Sequence, residues 1–293
     1  MPQPSRDDLR WHRTTLDGRA AFYGEAGDGP PVVFIHGWGL TSRAYARTLP
    51  LLARGARVIA PALPGFGRSD PLPGEYTWEK LARWVDLLLE HAGVDEPAFL
   101  VGHSFGGGVA TATAAHVPER VRSLVLVNSI GGSVWKQGRR GERLLSDRPL
   151  WDWGLRLPTE FARRDYRRVL PVVARDFLTN AVANPRSLVR AARLARTADL
   201  RDELAALHER GLPVSILWGN QDRVVPEAAF VAMCDAAGAP GDVITEGGHS
   251  WLIADPVGFG EIVTNSLTIH ALLERKAATA RADQAGAVPG PAA

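Results

Sequence analysis

Apolar residues in this chain gather into short continuous runs instead of alternating with polar ones, and most runs are spaced to leave room for a helix between them. Val32-Val33-Phe34-Ile35, Val58-Ile59-Ala60, Phe99-Leu100-Val101, Leu124-Val125-Leu126-Val127, Val214 to Trp218 and Val243-Ile244-Thr245 are each of strand length. Such runs suit strands covered on both faces, so their alternation with helical patterns predicts a mostly parallel sheet with helices packed on it. One helix is well marked. Thr77 is placed to cap it, Leu81, Trp84, Val85 and Leu88 recur at helical spacing, and Gly93 lies just past its end. Asp255 is placed to cap a last helix whose first position is Pro256, where a missing N–H costs nothing. Ahead of the first run, residues 10 to 24 read as a hairpin at an antiparallel edge, because Asp17-Gly18 supplies the positive φ values of a tight turn.

The rhythm breaks between Asn128 and Leu212. No buried-strand run appears there, and the stretch is Arg-rich and carries Trp135, Trp151 and Trp153, which predicts a helical insertion. From Lys276 onward the chain is Ala, Gly and Pro with a few charges, too weakly hydrophobic to order itself, and reads as a flexible tail. The expected division is therefore a core built from 1–132 and 206–275, an insertion over 133–205 and a tail over 276–293.

Composition sharpens this picture only by exclusion. With 293 residues, 45% hydrophobic and 23% charged, the chain is an ordinary globular protein and disorder is excluded as its main state. The formal charge is only +2, but nearly every base is Arg, and several Arg fall in pairs between Arg139 and Arg168. Acidic residues interleave with most of them, so solvated helix faces are the expected reading over a patch for an anionic substrate or an acidic carrier protein. Nucleic-acid binding is not expected. The single cysteine, Cys234, rules out an internal disulfide and fits a reducing compartment, the cytoplasm by default. Met1 to Trp11 has no apolar core of a signal peptide, and no stretch approaches the ~18 apolar residues of a membrane span.

The most specific chemical signal is Gly102-His103-Ser104-Phe105-Gly106, directly after the run at 99–101 and directly before a helix-forming stretch from Gly107 to Val117. This is a G-x-S-x-G nucleophile elbow. A serine on so sharp a strand-to-helix turn is strained, small flanking residues let backbone approach it, and the helix aims its N-terminal N–H groups at any anion formed there. The C-terminal edge of a parallel sheet is also where ligands collect.

Further motifs follow in order: His36-Gly37-Trp38-Gly39 after the first run, Leu63 to Asp70 (LPGFGRSD), Gly219-Asn220-Gln221-Asp222, and Gly247-Gly248-His249. With the elbow they make the chain resemble the α/β-hydrolase superfamily from roughly residue 20 to 272. The resemblance implies a doubly wound α/β-hydrolase sheet with a helical cap insertion. It also implies Ser104 as nucleophile, His249 as general base and Asp222 as the carboxylate that orients the histidine. Some relatives place the acid after the strand that precedes the Val214 to Trp218 run, but here that strand ends in Asn128, which cannot serve as a carboxylate. His36-Gly37 matches the oxyanion turn, implying the backbone N–H of Trp38 and of Phe105 as its donors.

The expected pocket residues are His36, His103, Trp135, Trp151 and Trp153, and the expected partner is a small-molecule acyl substrate. Ester hydrolysis through an acyl-enzyme is the default for a serine elbow, with no metal or organic cofactor. Thioesterase, lactonase, carbon–carbon bond hydrolase and acyltransferase chemistry use much the same apparatus, and a ligand-binding protein without turnover is the competing class. One departure is Ala62, where many relatives have Asp before the Leu-Pro-Gly-Phe-Gly loop; it leaves the triad untouched.

Overall fold

The computed structural model describes residues 9–136, 143–148 and 169–286. Eight strands form the main sheet: β1 (Arg10–Leu16), β2 (Arg19–Ala26), β3 (Pro31–Ile35), β4 (Arg57–Ala62), β5 (Ala98–His103), β6 (Val121–Val127), β9 (Val214–Gly219) and β10 (Gly241–Ile244). Their spatial order is β1-β2-β4-β3-β5-β6-β9-β10. The β1–β2 hairpin and the β2–β4 pair are antiparallel, and every later pair is parallel. The expected antiparallel edge and parallel centre are both present.

The helices are α1 (Leu49–Leu52), α2 (Trp78–His91), α3 (Phe105–His116), α4 (Leu170–Ala183), α5 (Pro185–Arg196), α6 (Arg201–Glu209), α7 (Glu227–Ala237), α8 (Trp251–Ala254) and α9 (Pro256–Gly286). They cover both faces. On β3, Val33 and Ile35 join one core with α2, α3, α6 and α7, while Val32 and Phe34 join a second core with α1, α8 and α9. Full burial explains why the central runs lack polar alternation.

Helix α2 forms as the sequence predicts. The Thr77 side chain accepts from the Lys80 N–H at 3.2 Å, and Leu81, Val85 and Leu88 are buried against the sheet. Each such side chain contributes ~1.5–3 kcal/mol on burial, and Leu88→Ala would cost roughly 2–5 kcal/mol by leaving a cavity. At α9, Asp255 Oδ1 accepts from the Gly258 N–H at 3.0 Å.

Three features differ from the sequence expectations. The run at 243–245 is not buried on both faces: β10 is the last strand, and Val243 is 52% exposed. An edge strand needs only one covered face, and apolarity alone does not distinguish the two cases. The segment after β6 opens with a ribbon, β7 (Val134–Lys136) paired to β8 (Arg143–Leu144), before helices α4 and α5. Strands of three and two residues carry no readable period. Finally, α9 runs to Gly286, through the stretch read as the start of a flexible tail. Ala-rich sequence is a strong helix former, and extending an existing helix avoids the nucleation cost. Among the described residues no helix is long and apolar enough to cross a membrane.

Candidate active site

Ser104 occupies the turn between β5 and α3 with φ 54° and ψ −118°, a conformation few side-chain-bearing residues adopt. Close backbone packing imposes it. A Cβ on Gly102 would strike Gly106 and Gly107, and one on Gly106 would strike the carbonyl oxygens of Ile35 and His36. Only glycines on either side of the serine allow α3 to start so near the strand ends.

Asp222 lies in the turn after β9, and His249 in the loop after β10. The loops pack against each other: the Gln221 N–H donates to the Gly247 carbonyl at 2.9 Å, and a Cβ on Gly219 would strike Gly247. The result joins three residues far apart in sequence. Asp222 Oδ2 lies 2.8 Å from His249 Nδ1, and His249 Nε2 lies 3.0 Å from Ser104 Oγ.

Asp222 Oδ1 accepts from the N–H groups of Val224 and Val225 at 2.7 and 2.9 Å, and Oδ2 accepts from Asn128 Nδ2 at 2.5 Å. Donors surround this carboxylate, so these bonds fit its ionised form. An ionised partner makes Nδ1 of His249 the N–H nitrogen and leaves the Nε2 lone pair toward the serine hydroxyl.

The loop after β3 passes beside this group. A Cβ on Gly37 would lie 3.4 Å from Ser104 Cβ. The next residue is Trp38, whose backbone N–H, like that of Phe105 at the first position of α3, has no hydrogen-bond acceptor among the described residues. Two amides flanking a serine hydroxyl can receive a developing oxyanion.

Residues 30–255 match the family described as the alpha/beta hydrolase fold. The chain belongs to that family. It is 31% identical to the pimeloyl-[acyl-carrier protein] methyl ester esterase of Aeromonas hydrophila, over 81% of this chain and 95% of that one. It is also 31% identical to the dihydrolipoyllysine-residue acetyltransferase component of the acetoin cleaving system of Cupriavidus necator, over 80% of this chain but only 63% of that protein's length. Among solved structures, the meta-cleavage product hydrolase from Pseudomonas fluorescens superposes with a TM-score of 0.70 at 24% identity, covering 89% of this chain and 98% of that one. This α/β-hydrolase is an enzyme of the serine hydrolase type.

Two residues expected in the pocket belong behind it. His36 is fully buried; its Nδ1 faces the Gly37 carbonyl at 2.9 Å, and its Nε2 accepts from the Leu63 N–H at 2.9 Å. His103 is 1% exposed, with Tyr45 Oη 2.7 Å from Nδ1 and the His249 carbonyl 2.9 Å from Nε2. Both rings have both nitrogens engaged with the protein, so they hold the turn after β3 and the His249 loop and leave nothing for a substrate. Burial pushes the His36 pKa down to about 4 and, with a contribution from His249, that of His103 to about 3. Trp135 is half-buried on β7, with the Lys136 ammonium 4.4 Å from its ring centroid. Trp151 and Trp153 lie outside the described residues.

Several residues with functional contacts escaped the sequence reading. Asn128 and Trp251 stand behind Asp222, the Trp251 indole N–H donating to Asn128 Oδ1 at 2.8 Å. On α4, Asp176 accepts from the Thr41 N–H at 2.6 Å and its hydroxyl at 2.9 Å. Asn180 donates to the Gly39 carbonyl at 2.9 Å and accepts from the Gly67 N–H at 2.7 Å. The Trp38 indole N–H donates to the Leu188 carbonyl at 2.9 Å, and its ring meets Phe177 edge-on at 5.4 Å. Arg148, buried at 1% exposure, donates to the carbonyls of Val224 and Arg223 at 2.8 and 3.0 Å. The only available sequence signal was positional: Asn128 ends a buried strand at the same sheet edge as the elbow.

Proposed function

We propose that this hydrolase cleaves a carboxylic ester through an acyl-enzyme. Ser104 is the nucleophile, His249 the general base and Asp222 the carboxylate that orients the imidazole. The observation carrying this reading is the unbroken contact path, Nε2 at 3.0 Å from Oγ and Nδ1 at 2.8 Å from Oδ2.

In the first step the Ser104 oxygen attacks the acyl carbon while His249 Nε2 takes its proton. The carbonyl oxygen becomes an oxyanion facing the amides of Trp38 and Phe105. Collapse expels the alcohol, which receives the proton from His249. Water, deprotonated by the same nitrogen, then attacks the acyl-enzyme and releases the acid and Ser104. The scheme uses no metal or organic cofactor. Each amide donor is worth roughly 100- to 1,000-fold in turnover because charge develops on that oxygen only in the transition state.

The segment 133–205 acts in this proposal as a cap that selects the substrate, a small acyl compound. Its support is the contact of α4 and α5 with the loops carrying Trp38 and Gly67. The cytoplasm is the proposed location, the reading that a single cysteine, Cys234, supports.

Treatment with a fluorophosphonate followed by intact-mass measurement tests the reading. One adduct is expected on the wild type and none on Ser104→Ala. Folded wild type that takes no adduct would overturn it in favour of a binding protein. Esters, thioesters, lactones and a carbon–carbon bond substrate, assayed side by side, are expected to rank the ester first.

A further inference from the structure

We propose that Asn128 is a positioning residue for the triad, acting through Asp222, and that the Trp251 indole fixes the direction in which its amide points. The inference rests on the triad reading above and extends it by two residues.

Asn128 follows β6 with φ 45°, a left-handed conformation that asparagine tolerates better than most residues. It is completely buried, and its backbone N–H donates to the Leu217 carbonyl at 2.8 Å, so its Cα is fixed to the sheet. The amide has one permissible orientation. An indole nitrogen only donates, so the Asn128 atom 2.8 Å from Trp251 Nε1 must be the oxygen. The NH2 group therefore faces Asp222 Oδ2 at 2.5 Å.

That oxygen is the one that meets His249 Nδ1. Two backbone amides hold Oδ1 and Asn128 holds Oδ2, so the carboxylate plane is fixed at both ends. A donor at this position can neither take a proton from Asp222 nor turn to compete for the imidazole N–H. The hydrogen bonds thus converge on Asp222: Trp251 donates to Asn128 and Asn128 to Oδ2 from one side, while the Ser104 hydroxyl donates to His249 Nε2 and His249 Nδ1–H donates to Oδ2 from the other. Trp251 is two residues beyond His249, and its indole is packed edge-on to Phe259 at 5.7 Å, which anchors its side of the network in the second core.

The test is steady-state kinetics on Asn128→Leu, Asn128→Asp and Trp251→Phe, with Asn128→Leu repeated in an Asp222→Ala background. Asn128→Leu is expected to lower kcat by roughly 10- to 100-fold, the range of a hydrogen bond to a charged group, with KM within about twofold. In the Asp222→Ala background the same substitution is expected to change kcat by less than about twofold, because nothing is left to position. Asn128→Asp puts two carboxylates in contact. They should share a proton, adding an ionisation to the rate profile that the wild type lacks. Trp251→Phe is expected to lower kcat by about threefold in the same direction.

An Asn128→Leu variant that keeps kcat within about twofold, or loses equally in both backgrounds, overturns the proposal. If Asn128→Leu does not fold, an unchanged rate profile in Asn128→Asp overturns it instead. Failure of the triad reading is seen separately, as absence of the fluorophosphonate adduct on folded wild type.

Discussion

The two sides of Ser104 are held by different parts of the chain. On the acid side, the donors to the Asp222 carboxylate come from the ends of the main sheet's own strands: Asn128 after β6, Val224 and Val225 after β9, and His249 after β10. Among the described residues, the stretch from 133 to 205 reaches this side through Arg148, which holds the backbone carbonyls of Val224 and Arg223 behind the carboxylate. On the oxyanion side, that segment touches the turn itself. Asp176 holds Thr41, Asn180 ties Gly39 to Gly67, and Leu188 accepts from the Trp38 indole. In the proposed mechanism, orientation of the base is thus built into the sheet, whereas the amide that receives the anion depends on how α4 and α5 are seated. If that segment selects the substrate as proposed, chemistry and selection are coupled on one side of the serine more than on the other.

The largest expected effect breaks the acid side. Asp222→Asn should lower kcat by ~10,000-fold with the fold intact, because the imidazole loses its anion and its tautomer. Near-normal ester turnover by a folded variant would remove Asp222 from the scheme.

The next effect acts on the histidines packed behind both sides. Burial holds His36 at about 4 and His103 at about 3, and at the back of the sheet it holds His270 at about 4. The ordinary value, and that of the unfolded chain, is about 6.5. Their neutral forms therefore stabilise the fold fully above about 6.5, and this is lost as pH falls from there toward 4 and 3. Each histidine contributes up to ~1.4 kcal/mol per pH unit in that window. Urea midpoints at about pH 7.5 and about pH 5 should show a steep decline, and equal midpoints would contradict it.

A smaller effect isolates the oxyanion side. Asn180→Ala removes two hydrogen bonds of ~1 kcal/mol each and should lower kcat by roughly tenfold without adding an ionisation to the rate profile. A loss confined to KM would show that the turn keeps its place without α4.

The smallest expected effect comes from Asp176→Asn. Burial raises the Asp176 pKa above its unfolded value, so its contribution to stability is present at low pH and lost as pH rises through that raised value. The amide keeps an acceptor for Thr41 without a charge. The thermal midpoint at neutral pH should change by the equivalent of less than ~1 kcal/mol, in either direction. A large loss would show that the ion itself secures α4.

The sheet, and the three side chains that meet at Ser104, were readable in the sequence because each leaves a short-range mark. A strand buried on both faces is a run of apolar residues, and an elbow needs small residues at fixed distances from its serine. The contacts of α4 with the Gly39 and Gly67 loops left no such mark. Asp176 and Asn180 are one turn apart on a helix, ordinary polar residues whose partners lie well over a hundred positions away. His36 and His103 misled for a related reason. Their places in functional motifs suggested substrate contact, but only burial and the direction of their ring nitrogens reveal that they brace backbone. The β7–β8 ribbon is too short for a period, and the continuation of α9 depends on a helix already begun.

A single side chain, Asn180, fastens two glycine-bearing loops that are separate in the chain. Chimeras that exchange the stretch between β6 and β9 for a homologue's would therefore change more than preference. A graft lacking Asp at 176 and Asn at 180 would leave the recipient's own Trp38 loop unmoored, and a sluggish hybrid would be misread as poor substrate fit.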